Sequence, residues 1–180
     1  GNHLELTASY TNWLWKVKDV NKKWTKNYFG LDGLNVPGVT TISGKEMGGW
    51  IQYSMSPTTA AWIAQHFYWQ WKYSMDEKFL TGRAAPYFNE VEKYLSGIQI
   101  NDADKGITLP LSSSPEYHNN SIKAWFSDIT NYDLALIRNF YYRGSEIAAL
   151  NNDKRLLKWA HAKVLFGQFD FNETGLTIAP

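Results

Sequence analysis

Ser56-Pro57-Thr58-Thr59-Ala60-Ala61-Trp62-Ile63-Ala64-Gln65-His66-Phe67-Tyr68-Trp69-Gln70-Trp71-Lys72-Tyr73-Ser74 reads as a helix that is apolar on nearly every face. Ser56 supplies an N-cap and Pro57 the first helical position, where its missing N–H costs nothing. A helix apolar all round is buried on all sides. Such an element needs neighbours, so the fold is decided by what surrounds it.

Outward from this helix the chain supplies more helices. Toward the N-terminus, Trp13, Leu14, Val17, Val20, Trp24 and Tyr28 recur at helical spacing, giving a helix or a broken pair over residues 8–29. Residues 30–55 form a long loop with Pro37 and six glycines. It also carries Met47, Trp50, Ile51, Tyr53 and Met55, too apolar for disorder, so it is expected to be ordered and packed. Toward the C-terminus, Asp76 and Glu77 open a short turn. Residues 84–99 then read as an amphipathic helix, and Asn101–Gly106 as a polar turn. A second mostly apolar helix spans 131–149, a last amphipathic helix runs from 152 to about 166, and residues 170–175 turn again. Buried helices thus alternate with half-exposed ones, the pattern of a two-layered helical ring in an all-α fold. No period of about 34 residues recurs, which argues against a tetratricopeptide-type array.

Composition sets further bounds. A chain of 180 residues is one domain or a large piece of one, and can bury roughly 70% of its unfolded surface. It has no cysteine, which excludes disulfides, thiolate metal sites and cysteine nucleophiles. A net charge of +1 gives no electrostatic case for nucleic acid or an anionic membrane. No run approaches ~18 consecutive apolar residues, and no basic start precedes an apolar stretch, so neither a membrane span nor a leader is read in the chain. The unusual feature is aromatic: 29 of the 180 residues are Phe, Trp or Tyr, nine of them Trp. Trp and Tyr combine a flat apolar face with a polar edge, which matches the C–H faces and hydroxyl rim of a sugar ring. A large aromatic core accounts for the same composition.

Three places could carry chemistry. In Leu109-Pro110-Leu111-Ser112-Ser113-Ser114-Pro115-Glu116 a single carboxylate follows a rigid proline. Glu116 is either a first-turn acid complementing a helix dipole or a general acid raised in pKa by aromatic surroundings. Inverting glycoside hydrolysis would need a second carboxylate roughly 6.5–9.5 Å away, for which Asp128 and Asp133 are candidates. Asp133 equally suits the first turn of its helix. The loop from Met47 to Ser54 contains Gly48-Gly49, which lets backbone approach a ligand, and presents Trp50, Gln52 and Tyr53 as one stacking face and two hydrogen-bonding tips. His118, Trp125, Asn131 and Asp133 complete the candidate substrate-binding set. The four histidines lack metal-ligand spacing, and His66 reads as a hydrogen-bonded core residue. Asp102, Asp104 and Gly106 faintly suggest a calcium loop, but Ser112 stands where its bidentate acid belongs. No cofactor and no metal is implied.

Taken in order, Gly48-Gly49-Trp50, Ala61–Tyr68, Met75–Leu80, Ala85-Pro86-Tyr87, Ser112–Glu116 and Thr130-Asn131-Tyr132-Asp133-Leu134 resemble the catalytic domain of glycoside hydrolase family 95, the α-L-fucosidase and α-L-galactosidase group. The resemblance covers about residues 47–150. It implies an (α/α)6 toroid of the six-hairpin glycosidase type, an inverting mechanism, a glycan substrate and a periplasmic or extracellular location. It also implies that Glu116, the glutamate of the Ser-Pro-Glu motif, is the general acid. Two family features have no counterpart: a late aspartate base beside a His-rich motif, and an upstream Asn-x-Asn pair, which nothing in residues 1–46 matches. The expectation is therefore one helical domain over 1–180 that is about half a toroid, a fragment inactive alone. Its open side would be covered by a second copy or by the missing part of the same polypeptide. The alternative is a non-catalytic carbohydrate-binding or structural helical module.

Overall fold

The computed structural model describes residues 3–113, 118–151, 153–154, 158–160, 169–173 and 175–177. It is mostly helical. Helix α1 spans Leu4–Phe29 without a break. It stops because Gly30 adopts the left-handed conformation at φ 68°, its N–H closing on Lys26 O. A short helix α2, Ile51–Ser54, ends the long loop. Helix α3 follows at Thr59–Ser74.

Helix α4, Glu77–Phe79, is capped by Asp76, whose carboxylate accepts from the N–H groups of Lys78 and Phe79. The chain then runs without a break through a wide π-type turn, Leu80–Ala84, into α5, Ala85–Ile98. The sequence suggests a turn at this point. Pro86 explains the difference, since its ring conflicts with a regular helical hydrogen bond and the wider turn accommodates it. Helix α6, Asn131–Leu150, is the second apolar helix, with Thr130 as its cap. Residues 158–160, within the expected last helix, are helical and bring Trp159 into the core.

Helix α3 is central: it packs chiefly on α6, and also on α1 and α5. Phe67 stacks on Tyr87 at 4.1 Å and Phe88 on Phe140 at 4.9 Å, so aromatic pairs join α3 to α5 and α5 to α6. Gly144 of α6 lies against the Trp159 ring. A Cβ there would lie 2.7 Å from the Trp159 ring, tighter than any real contact. Gly144→Val should therefore lower stability by about 1–2 kcal/mol through overpacking, read as a lower midpoint in urea with an unchanged slope.

Two expectations need correction. Helix α3 is not buried on all sides: Trp62 (47%), Trp69 (38%) and Tyr73 (69%) expose a stripe at helical spacing. Arg143 of α6 lies over Trp69 at 4.1 Å, so part of this stripe is covered by a cation rather than by carbon. The fold is also not purely helical. Among the described residues there are three two-stranded antiparallel ladders: β1 (Ile100–Asp102) with β2 (Gly106–Thr108), β3 (Ser112–Ser113) with β4 (Trp125–Phe126), and β5 (Phe171–Asn172) with β6 (Gly175–Leu176). The polar turn at 101–106 is thus a hairpin. Asp102 accepts there from the N–H groups of Asp104 and Lys105 and is spent on the turn rather than on a cation.

The long loop is ordered, as expected, but through other residues. Leu34 and Val36 are in the core, whereas Met47 and Trp50 are exposed. Among the described residues no helix is long and apolar enough to cross a membrane.

Candidate active site

The segment that ends in Glu116 enters along β3. Ser112 and Ser113 are both buried, and they pair with Phe126 and Trp125 of β4. Beneath them lies Asp133, in the first turn of α6 and fully buried. Its Oδ1 accepts from the Thr58 hydroxyl at 2.5 Å, at the mouth of α3. Its Oδ2 accepts from the Ser112 hydroxyl and from the Ser113 N–H at 3.3 Å. The proton assignments close. Ser112 Oγ donates to Asp133 and accepts from Thr130 N at 2.9 Å. Thr130 Oγ1 donates to Ser113 O at 3.2 Å and accepts from Asp133 N at 3.2 Å. One carboxylate therefore ties α3, β3 and α6 together. Burial raises its pKa to about 6, against the pull of the hydroxyl and amide donors.

Glu116 itself, with Ser114, Pro115 and Tyr117, lies outside the described residues. On the far side, His118 and Asn119 both adopt left-handed backbone, at φ 60° and 54°. This return is held by the long loop. Gln52 Nε2 donates to Asn119 O at 2.5 Å, and Ile51 N–H donates to Asn120 Oδ1 at 3.0 Å. Ser121 Oγ donates to His118 O at 2.8 Å. The flanks of the Ser-Pro-Glu motif are thus fixed by two different parts of the chain.

The residues singled out in the sequence separate into two groups. Trp50, Tyr53, His118 and Trp125 lie at the surface or partly so. Trp50 and Tyr53 face each other at 5.9 Å between ring centres, and His118 lies 6.2 Å from Phe126. Trp125 lines a mostly carbon-faced cavity of about 920 Å³ together with Ile51, Met55, Pro110, Leu111 and Ile122. Gln52, Asn131 and Asp133 are buried and hold the framework instead of meeting solvent. Asn131 exchanges hydrogen bonds with the Asp170 backbone, donating to its carbonyl and accepting from its N–H, both at 2.9 Å. It also donates to Thr177 O at 2.6 Å, so it pins the β5–β6 segment. Asp128, the other second-carboxylate candidate, forms an ion pair with Lys105.

His66 is half-buried and meets the edge of Tyr10 at 5.1 Å, and burial lowers its pKa. Among the described residues no group of three or more acidic or histidine side chains converges as a metal site.

Residue-type reasoning does not find Thr58, Thr130 or Ser112 as parts of this arrangement. The available signal is the hydroxyl-rich Ser112–Ser114 run. A buried carboxylate without a cation must draw its hydrogen bonds from such groups.

A search of curated proteins finds no match to this chain. The model of the glycosyl hydrolase family 95 catalytic domain, however, matches residues 1–168, well beyond the 47–150 span over which the motifs resemble it. With its motif flanks held from both sides and this match across nearly its whole length, the chain belongs to glycoside hydrolase family 95, as a catalytic-domain sequence with glycans as the implied substrate class.

Proposed function

We propose that this chain carries the acid-bearing part of an inverting α-L-fucosidase-type glycosidase, with Glu116 as general acid. The observation that carries the reading is the family match over residues 1–168 together with the anchoring of both flanks of the Ser-Pro-Glu motif, Ser112-Ser113 on Asp133 and Asn119-Asn120 on the Gln52 loop. A general acid must hold its proton at the glycosidic oxygen to within a few tenths of an ångström, so flanks fixed on both sides suit the task. Trp50, Tyr53, His118 and Trp125 are the residues we assign to sugar contact, because stacking faces and ring nitrogens are accessible there.

The fold would be about half of an (α/α)6 toroid. The exposed Trp62–Trp69–Tyr73 stripe on α3 supports an incomplete ring. In the whole protein further polypeptide, or a second copy, covers that side and supplies the base. The chain alone is then inactive. On the family resemblance alone, we assign it to the periplasm or the outside of the cell.

The test is hydrolysis of an aryl α-L-fucoside by the whole protein to which these residues belong. Glu116→Gln should lower kcat at least about a hundredfold, the usual minimum for losing a general acid. Full activity in that variant removes Glu116 from the role. A second reading, a non-catalytic sugar-binding module, is favoured by the 43% exposure of Trp50 beside Tyr53. Fucose binding that survives Glu116→Gln and fails in Trp50→Ala, with no hydrolysis, selects it.

A further inference from the structure

We propose that Asp133 is a positioning residue: it contacts no substrate, but fixes the β3–β4 layer, which carries Trp125 and from which the chain enters the Ser-Pro-Glu motif. This rests on the assignment of Glu116 as the acid.

Several observations point this way. Asp133 is fully buried, so direct sugar contact is closed to it. Its two oxygens serve different elements. Oδ1 takes the Thr58 hydroxyl at the entrance to α3, and Oδ2 takes both the Ser112 hydroxyl and the Ser113 N–H. Two donors from adjacent residues on one carboxylate oxygen set the position and the rotation of β3. Thr130 repeats the tie, accepting from Asp133 N and donating to Ser113 O. The same strand pairs with β4 in the register Ser113 to Trp125, so the tryptophan at the cavity inherits its place from the same clamp. The strand is only two residues long and cannot hold its own register. Helix dipole compensation alone, the ordinary role of a first-turn acid, would leave the carboxylate in solvent. Here it is turned inward onto the strand that precedes the motif.

The test has an arm that needs no activity. Exchange of the Ser113 amide proton, followed by NMR, should quicken at least about tenfold in Asp133→Ala. Asp133→Asn should hold exchange near the wild-type rate, because its carbonyl oxygen still accepts from Ser113. If Asp133→Ala does not fold, Ser112→Ala, which removes the second donor on Oδ2 and the acceptor of the Thr130 N–H, should quicken Ser113 exchange by a smaller factor. Unchanged Ser113 exchange in the folded variants overturns the clamp.

The second arm is kinetic, in the whole protein. Misplacing a reacting group by about 1 Å can cost about a hundredfold, so kcat for an aryl α-L-fucoside should fall on that scale in Asp133→Ala or Ser112→Ala while KM changes less than about threefold. Asp133→Asn should restore most of kcat. Tyr68→Phe serves as the comparison: it breaks another α3–α6 tie, the Tyr68 hydroxyl to Glu146 at 2.6 Å, and should lower Tm without moving kcat. Equal loss of kcat in Tyr68→Phe and Ser112→Ala reduces Asp133 to a merely structural role. If no variant, wild type included, hydrolyses a glycoside, the assignment of Glu116 fails, and the Ser113 exchange arm still decides whether Asp133 holds the strand.

Discussion

Asn35→Ala should lower the stability of this protein by about 3–5 kcal/mol, the largest effect expected from any single side chain outside the apolar core. Asn35 is fully buried in the long loop, yet it serves four elements. Its backbone N–H donates to Thr25 Oγ1 of α1 at 2.8 Å. Its Nδ2 donates to Ser56 O at 3.0 Å and to the Tyr94 hydroxyl of α5 at 3.2 Å. Its Oδ1 accepts from Ala60 N at 3.1 Å, in the first turn of α3. Truncation leaves a backbone carbonyl, a backbone N–H and a phenol buried without these partners. Each such orphan costs about 1–3 kcal/mol, and relaxation recovers part of the sum. In a chain of this size the loss corresponds to a fall in Tm of about 10 °C. Thermal unfolding followed by far-UV circular dichroism measures it. A fall under 3 °C would show that water or repacking replaces the tie.

The second large effect concerns pH. With a pKa near 6 in the fold and an ordinary carboxylate value when unfolded, Asp133 binds its proton more tightly in the native state. Stability attributable to this group is therefore greatest below about pH 4, falls as pH rises toward 6, and is level above that. The span corresponds to about 3 kcal/mol. Among the described residues, the titratable groups facing Asp133 are the phenols of Tyr94 and Tyr132, whose own pKa values are raised by burial and then by this carboxylate, so they stay neutral across the range.

Asparagine has no charge to bury. Its oxygen can keep the Ser112 and Ser113 donors while its amide faces a Thr58 hydroxyl turned to accept. Asp133→Asn should consequently match wild type near pH 4 and exceed it by up to about 3 kcal/mol at pH 7. The measurement is the difference in unfolding free energy from urea titrations across that range. A variant that loses stability relative to wild type as pH rises would mean that the ionised carboxylate is the favoured form.

Much of the helical framework was legible because helices announce themselves locally. The 3.6-residue recurrence of Trp13, Leu14, Val17 and Trp24, and of Leu134, Ile137, Phe140 and Tyr141, marks buried faces without reference to the rest of the chain. Thr130 before Asn131 marks a start, and Gly30 after Phe29 a stop. The family was legible as well, because an ordered set of short motifs carries more information than any one of them.

The supporting chemistry was not legible. Ser56 looked like the cap of α3, but that helix begins at Thr59 and the acceptor that meets Ala60 N comes from Asn35, 25 residues upstream. Gln52 and Asn131 looked like ligand-facing amides and are spent on backbone groups 67 and 39 residues away. Strands β3 and β4 are two residues each, too short to show a period of two. The division has a physical cause. By itself the sequence determined helix positions, the amount of carbon to be buried and the catalytic-domain family, because periodicity and ordered motifs are properties of contiguous residues. Only the tertiary structure decided which polar side chains face solvent and which close on each other. A buried hydrogen bond between distant residues depends on how α1, α3, α5 and α6 cross, and no local pattern in a sequence encodes that crossing.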